Sequence, residues 1–408
     1  ARFIHHQQPD TAATVLLATA LVSERNGHGH TCLDLRAALN NPASLLNPAA
    51  AREKRSALAQ TLPAEELASL LGYANYAELS LATKMADSTD QVLGFLRDLA
   101  GRSRPYAEAD LQALREFAAS RGCTELQSWD TGYYAEQLRQ HRYAISQEEL
   151  RPWFPVDRVL QGMFTTAGRL FGVELREVAE FDRWHPEARL FEVVEGGRVI
   201  GRFFLDLYAR SNKRGGAWMS SFVDQSRQLG TRPVVVNVLN IAEPAEGEQA
   251  LLTLDEVTTL FHEFGHALHG LLSDVRYPRF SGTNVPRDFV EFPSQINENW
   301  ALEPTVLGNY AFHADTGEPI PADLVDSVKR ARTAGEGFAT AEYLAASALD
   351  LAWHSVTPEE AAAITDVGEF EQRALEDAGL DVAHLAPRYR STYFNHIFAG
   401  GYSAGYYS

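Results

Sequence analysis

The stretch from Thr253 to Gly270 constrains the fold most strongly, because it has the features of a single amphipathic helix. Thr253 followed by Glu256 is typical of a capping box, in which a hydroxyl and a carboxylate satisfy N–H groups that the first helical turn leaves free. Apolar residues then recur at intervals of three or four, the period of a helix with one buried face: Leu254, Val257, Phe261, Phe264, Leu268 and Leu271. We predict a helix that begins after Thr253 and ends near Gly270.

Two histidines lie four residues apart on this predicted helix, in the sequence HEFGH that begins at His262. Side chains at this spacing project from one helical face, so His262 and His266 can bind the same metal ion while Glu263 acts on a water molecule there. Such a short pattern also arises by chance on ordinary helices. The cap, the apolar flanks and an available third ligand favour the functional interpretation, a zinc-hydrolase signature.

The third ligand is predicted from the next helical segment, Asp288–Gln295. A hydrolytic zinc site commonly has three protein ligands and leaves one position for water. Glu291 falls 25 residues after His266, behind a glycine-containing loop that is long enough to reverse the chain. We therefore predict Glu291 as the ligand. Glu298, seven residues further on, is the alternative ligand, and we interpret it instead as a residue that orients one of the imidazoles.

Composition excludes several classes of function. The 408 residues are 45% hydrophobic and 22% charged, as in globular proteins, and the formal charge of −18 argues against a nucleic-acid-binding surface. The most apolar run, Ala12–Val22, is about half as long as a bilayer span, so no membrane association is predicted. Cys32 and Cys123 are the two cysteines, which implies no disulfide framework and favours the reducing cytoplasm.

Residues 1–50 stand apart from the rest of the chain. They weakly resemble the start of the alpha subunit of exonuclease V, a helicase component, but the sequence contains no Walker phosphate loop and so supports no helicase function. The histidines and cysteine of Asn26–Cys32 favour a turn over a metal site. We predict an N-terminal segment with its linker over 1–50 and a helical catalytic region over 51–408.

The middle of the chain predicts helices around a small sheet. Helical patterns cover Arg52–Gln140, and another helix follows Pro155 as far as Phe171. A hairpin is predicted from Arg189 to Leu207 and a strand over Pro233–Leu239. This sheet either binds an extended peptide at its edge or simply covers the helical core, and the sequence leaves both readings open.

Three further segments lie outside the predicted metal helix, one before it in the sequence and two after it. The basic loop Arg210–Gly216 is interpreted as solvated, with attraction of a substrate carboxylate as the alternative. The helical pattern over Asp323–His354 carries no constellation that demands chemistry. The glycine- and tyrosine-rich stretch Tyr393–Ser408 supplies donors for an oxyanion on one interpretation and core aromatics on the other.

Three motifs together resemble the M3 family of zinc oligopeptidases: HEFGHALHG from His262, FVEFPSQ from Phe289 and HIFAGGYSAGYY from His396. The chain is most similar to the bacterial dipeptidyl carboxypeptidases of that family, over roughly residues 65–408. The resemblance implies a mainly α fold, namely a large helical, zincin-like peptidase body with a small β-sheet beside the active-site helix. It also implies a deep channel that admits short peptides and excludes folded proteins.

The resemblance assigns roles to seven residues. Those that would bind one Zn²⁺ ion are His262, His266 and Glu291; Glu263 would be the general base; those that would contact substrate or the oxyanion are His396, Tyr402 and Tyr406. The implied activity is release of C-terminal dipeptides from short peptides. Internal cleavage of such peptides is one alternative.

A second alternative is an inactive zinc-binding fragment. The family's long N-terminal helical region is not recognisable in this sequence, and the family continues past Ser408 with a tyrosine that assists the tetrahedral intermediate. The sequence also begins at Ala1 and stops inside a patterned stretch. We therefore expect the chain to be a fragment.

Overall fold

The computed structural model describes residues 64–143, 147–245, 247–382, 385–398 and 401–408. The chain divides into two compact units, one formed by residues up to 112 together with 337–408 and the other by residues 113–336. The predicted segment and linker over 1–50 lie outside the described residues, so the boundary at residue 50 stays a prediction.

The first unit is helical in its described part. Its N-terminal helices are α1 (Ala64–Leu70), α2 (Tyr76–Leu81) and α3 (Thr89–Ser120), the last of which continues into the second unit. Its C-terminal part contains α12 (Glu336–His354), α13 (Pro358–Ala363), α14 (Val367–Asp377) and the single turn α15 (Asn395–Phe398). Ala346, Phe394 and Ile397 form a small buried cluster that joins α12 to the end of the chain.

The second unit surrounds a five-stranded sheet with helices. The helices that precede the sheet are α4 (Thr131–Tyr143), α5 (Gln147–Leu150) and α6 (Val156–Phe171). The strands are β1 (Val173–Glu177), β2 (Arg189–Glu195), β3 (Arg198–Tyr208), β4 (Trp218–Val223) and β5 (Val234–Ile241). The helices after the sheet are α7 (Leu254–Leu271), α8 (Arg287–Val290), α9 (Phe292–Ala301), α10 (Pro304–Tyr310) and α11 (Ala322–Arg332). The expected class, mainly α with a small sheet, is confirmed.

The sheet has the order β1-β2-β3-β5-β4. The predicted hairpin is present as β2 and β3, and β5 pairs parallel to β3 with Phe203 opposite Val235. Sequence patterns missed β1 and β4, which lie at the two edges. Edge strands pack on one neighbour only and carry many exposed side chains, so they lack the apolar run that marks a central strand.

Helix α7 lies on one face of this sheet. Its Phe264 ring contacts Phe203 of β3 and Phe164 of α6, with ring centroids 5.5 and 5.6 Å apart, and Phe191 of β2 completes the aromatic centre. Rings tilted against each other at these distances add to the stability gained by burying their area. This aromatic core fixes α7, the helix predicted to carry the metal ligands, against the sheet.

The predicted start of α7 is confirmed, and its predicted end is correct to within one residue. Thr253 and Glu256 exchange both hydrogen bonds of a capping box, and the helix continues past Gly270 to Leu271. A Cβ atom at Gly270 would lie 2.8 Å from Met219 Cε and 2.9 Å from Val235 Cγ1. Gly270 therefore lets the sheet approach closely, and this tertiary contact, not helix termination, explains its small side chain.

A second glycine, Gly265, permits a close contact between helices α7 and α9. A Cβ atom at Gly265 of α7 would lie only 2.6 Å from the backbone Cα of Ser294 on α9. Between the same helices, the buried Asn297 side chain donates a 2.6 Å hydrogen bond to the carbonyl of Phe261. Helices α7 and α9 are therefore held together by a backbone approach that only glycine allows.

None of the helices in the described ranges is long and apolar enough to cross a membrane.

We expect Gly265→Ala to destabilise the protein by about 1–3 kcal/mol, because the added methyl group forces α7 and α9 apart. Gly308→Ala is the matched control: Gly308 lies inside helix α10 with open space around its Cα, so alanine there should stabilise by up to about 1 kcal/mol. Denaturant unfolding measures both changes. Equal stability of Gly265→Ala and the parent protein would contradict the packing argument.

Candidate metal centre

Helix α7 places two imidazoles on one face. His262 and His266 are one turn apart, with ring centroids 4.9 Å apart and planes at 86°. His266 is buried and His262 is a quarter exposed, so one side of the pair remains accessible. The i, i+4 spacing read from the sequence therefore yields converging ring nitrogens.

The third predicted ligand comes from the junction between α8 and α9. Glu291 ends α8 and precedes α9, and its backbone carbonyl accepts a 2.7 Å hydrogen bond from the Ser294 hydroxyl. The same hydroxyl lies 3.2 Å from Glu291 Oε2 and helps to orient the carboxylate. Sequence analysis missed Ser294, whose only signal is its place in the first turn after Glu291.

The three side chains meet at one point. Glu291 Oε2 lies 3.2 Å from His262 Nε2 and 3.0 Å from His266 Nε2. One donor atom from each residue lies within 4.8 Å of the others. Tetrahedral ligands at about 2.0–2.1 Å from a metal ion stand about 3.3–3.4 Å apart, so the observed separations fit a single divalent ion with little rearrangement.

Glu298 contacts the cluster from outside. Its Oε1 lies 2.7 Å from His262 Nδ1, which leaves Nε2 of the same ring directed at Glu291. A carboxylate in this position fixes the tautomer and orientation of a ligating imidazole and raises its basicity. The geometry agrees with the interpretation of Glu298 as an orienting residue.

The charges of the cluster are strongly coupled. Burial by itself lowers the pKa of His262, but its hydrogen bonds with Glu291 and Glu298 outweigh burial and raise that pKa to about 10. Burial likewise acts to raise the pKa of Glu291, and its hydrogen bonds from the two imidazoles reverse this and hold the pKa well below the ordinary value. When no metal ion is bound, the protonated His262 ring supplies positive charge beside the carboxylates.

Glu263 differs from the other acids of the cluster. It is only 6% exposed, and its Oε2 has no hydrogen-bond partner among the residues that the structure describes. Burial raises the pKa of this carboxyl group, although the nearby His262 and His266 counteract it. A buried carboxylate with an unused oxygen and a raised pKa has the properties of a general base.

The predicted oxyanion residues lie in the other unit. His396 and Tyr406 have ring centroids 5.9 Å apart, and the Tyr402 N–H donates to the His396 carbonyl at 3.1 Å. Burial raises the pKa of Tyr406 to about 12, so its hydroxyl stays a donor at neutral pH. These residues form one group, and their part in the chemistry of the metal cluster stays a prediction.

The basic loop is less solvated than expected. Arg210 and Lys213 both bind the buried Asp206, at 2.8 and 2.9 Å, and the Lys213 side chain is 3% exposed. The Trp184 indole is the third residue that donates to the same carboxylate, at 2.9 Å. Burial acts to raise the pKa of Asp206, and these partners hold it well below its usual range. Two cations of the loop thus anchor the loop itself.

We expect metal binding at pH 7 to release about one proton from His262. At pH 7, below its pKa of about 10, the metal-free imidazole is protonated, and a metal ion needs the lone pair. Apparent affinity should therefore rise with pH up to about 10. Titration calorimetry in buffers of different ionisation enthalpy counts the protons. Glu298→Gln should shift the pH dependence to lower pH, and the absence of proton release at pH 7 would contradict the prediction.

Comparisons with known proteins cover most of the chain. Dipeptidyl carboxypeptidase of Salmonella typhimurium is 45% identical over 346 residues, which cover 84% of this chain and 50% of the relative. Oligopeptidase A of Escherichia coli is 44% identical over 350 residues (84% and 51%), and organellar oligopeptidase A of Arabidopsis thaliana is 37% identical over 357 residues (84% and 44%). The chain spans about half the length of these relatives.

The profile of peptidase family M3 matches residues 41–408, a range that includes the histidine pair, Glu291 and the C-terminal aromatic group. The match begins ahead of residue 65, where the motif resemblance starts. The family resemblance read from the motifs is thereby confirmed. The chain belongs to peptidase family M3.

Proposed function

We propose that this chain hydrolyses short peptides with one zinc ion and releases C-terminal dipeptides. The observation that carries the proposal is the convergence of His262, His266 and Glu291 beside the buried carboxylate of Glu263. Two imidazoles and one carboxylate are the donor set of catalytic zinc sites with a fourth position for water. When bound, zinc supplies a Lewis acid that polarises the scissile carbonyl and acidifies a water molecule.

Glu263 is the proposed proton carrier. Its unpaired oxygen accepts a proton from the attacking water, and the protonated carboxyl group then delivers this proton to the leaving amine. The raised pKa of Glu263 suits both halves of the cycle, because a carboxyl group titrating closer to neutral pH both accepts and returns a proton readily.

His396, Tyr402 and Tyr406 are the proposed donors to the oxyanion. Tyr406 keeps its proton at neutral pH, as an ordinary tyrosine does, and burial raises its pKa further, so it offers an O–H group to developing negative charge. His396 Nδ1 is buried and lacks a hydrogen-bond partner within the described part of the chain, which leaves this ring nitrogen available.

Strand β4 is the proposed binding edge for an extended peptide. It pairs with β5 on one side only, and four of its six residues are exposed. Met219 of this strand packs against Gly270 of α7, one helical turn beyond His266. Main-chain hydrogen bonds at such an edge bind peptides with little regard to side chain, as an oligopeptidase requires.

The second candidate is internal cleavage of short peptides. It is favoured by the relatives named oligopeptidase A, which match this chain as well as those named dipeptidyl carboxypeptidase. The same metal chemistry serves both activities, and the difference lies in recognition of the substrate's C-terminal carboxylate.

A reducing compartment, the cytoplasm, is the proposed location, consistent with the free thiol of Cys123.

We expect Glu263→Gln to retain zinc and to lose hydrolysis by about 10²–10⁴-fold, because the amide keeps the shape of the side chain but accepts no proton. Zinc content by elemental analysis and turnover of a quenched fluorescent peptide are the two measurements. Asp255→Asn, an exposed change in the first turn of the same helix, is the control and should keep both.

Three outcomes separate the hypotheses. Full turnover by Glu263→Gln would reject the general-base assignment. A parent protein that binds zinc stoichiometrically but cleaves no peptide would support the inactive-fragment alternative instead. A parent protein that binds no zinc would reject the metal centre itself.

We expect peptides with a free C-terminus to be cleaved at least tenfold faster than the same peptides with an amidated C-terminus. Release of dipeptides from the C-terminal end requires recognition of the terminal carboxylate, and amidation removes that charge. Mass spectrometry of the products identifies the bond that is cut. Equal rates, with cuts at internal bonds, would favour the oligopeptidase alternative.

A further inference from the structure

The C-terminal loop over 402–406 is bound through its backbone to one buried carboxylate. Asp350 Oδ1 accepts a hydrogen bond from the Ala404 N–H at 2.8 Å, and Oδ2 accepts from Gly405 and Tyr406 at 2.9 Å each. Three consecutive amides that converge on one anion form a nest, the arrangement with which loops commonly bind phosphate or carboxylate ligands. Here the anion belongs to the protein.

Asp350 lies in the interior of helix α12 and is completely buried. Besides the three amides, its Oδ1 lies 2.9 Å from Nδ1 of His354, one turn further along the helix. A buried carboxylate is tolerated only when such partners replace its hydration, so loss of the loop contacts would leave a costly unsatisfied charge. This cost ties the loop to the helix.

The same helix also binds carbonyl groups of the loop. The Tyr343 hydroxyl donates to the carbonyls of Tyr406 and Ser408 at 2.8 and 3.1 Å, and Ser347 Oγ donates to the Tyr406 carbonyl at 3.2 Å. Ala404 has a φ of 47° and is the only non-glycine residue in the described ranges with a positive φ. The left-handed conformation is unfavourable for alanine, so surrounding contacts must impose it.

We propose that Asp350 is the positioning residue of the C-terminal loop, fixing the backbone of 404–406 so that Tyr402 and Tyr406 present their side chains in one arrangement. The inference rests on the proposed function, in which these tyrosines act on the substrate. The proposal also limits which groups of the loop can bind substrate. The backbone N–H groups of 404–406 already donate to Asp350. Any hydrogen bond from this part of the loop to an oxyanion or a substrate carboxylate therefore comes from a side chain.

The first test needs only the parent protein. Hydrogen exchange, followed by mass spectrometry of peptides that span 401–408, should show slow exchange of the amides of 404–406 although they lie outside helices and strands. Exchange as fast as in a free loop would overturn the proposal. This measurement depends neither on hydrolysis nor on the folding of a variant.

The second test compares two isosteric substitutions. Asp350→Asn removes acceptor capacity beneath the loop, so exchange over 401–408 should quicken at least tenfold and kcat should fall by about 10–100-fold, with zinc content unchanged. Glu371→Gln is the matched control: Glu371 is also buried, and it binds Arg390 and Ser391 at 2.8 and 3.0 Å. This variant should keep parental exchange over 401–408 and parental kcat.

The outcomes distinguish the proposal from its basis. Faster hydrogen exchange with unchanged kcat in Asp350→Asn would overturn the positioning role. Equal losses of kcat in both variants would also overturn it, because any buried carboxylate would then have the same effect through stability. A parent protein that hydrolyses no peptide would contradict the proposed function. The hydrogen-exchange rates over 401–408 would still support or overturn the anchoring of the loop by Asp350.

Discussion

The close approach of α7 and α9 is the contact on which the candidate metal centre depends. Glu291 comes from a different element than the two histidines, and its carboxylate reaches both imidazoles only because the helices touch at Gly265. Asn297 closes the same interface by satisfying a backbone carbonyl. The aromatic core beneath α7 then fixes the helix pair against the sheet. Packing of apolar side chains thus determines distances between polar ones.

The buried carboxylates in the described part of the chain fall into two kinds. Asp206, Asp350 and Glu371 each accept hydrogen bonds at both oxygens, and each ties a loop to a helix or strand. Glu263 is also buried, yet one of its oxygens has no partner in the described ranges. A fully satisfied carboxylate stabilises structure, whereas an unsatisfied one is costly and is retained where chemistry uses it.

Sequence periodicity predicted the central elements and failed at the margins. The capping box of α7, the β2–β3 hairpin and strand β5 were recognisable because each carries a local pattern of its own. The edge strands β1 and β4 carry no such pattern, since only one neighbour and one face contribute to their burial. Asp350 was missed for a related reason. The backbone amides that bind it lie 54–56 residues away in the sequence, and the sequence of α12 alone does not predict these contacts.

The sequence by itself determined the chemistry of the candidate metal site, because the i, i+4 spacing on a capped helix places His262 and His266 on one face whatever surrounds them. It also indicated Glu291 by its position, and the family by its motifs. Tertiary structure alone decided that the carboxylate meets the imidazoles, that Gly270 admits the sheet instead of ending a helix, and that Asp350 occupies the amides of the C-terminal loop. Those outcomes depend on contacts between distant segments, which a local pattern does not encode.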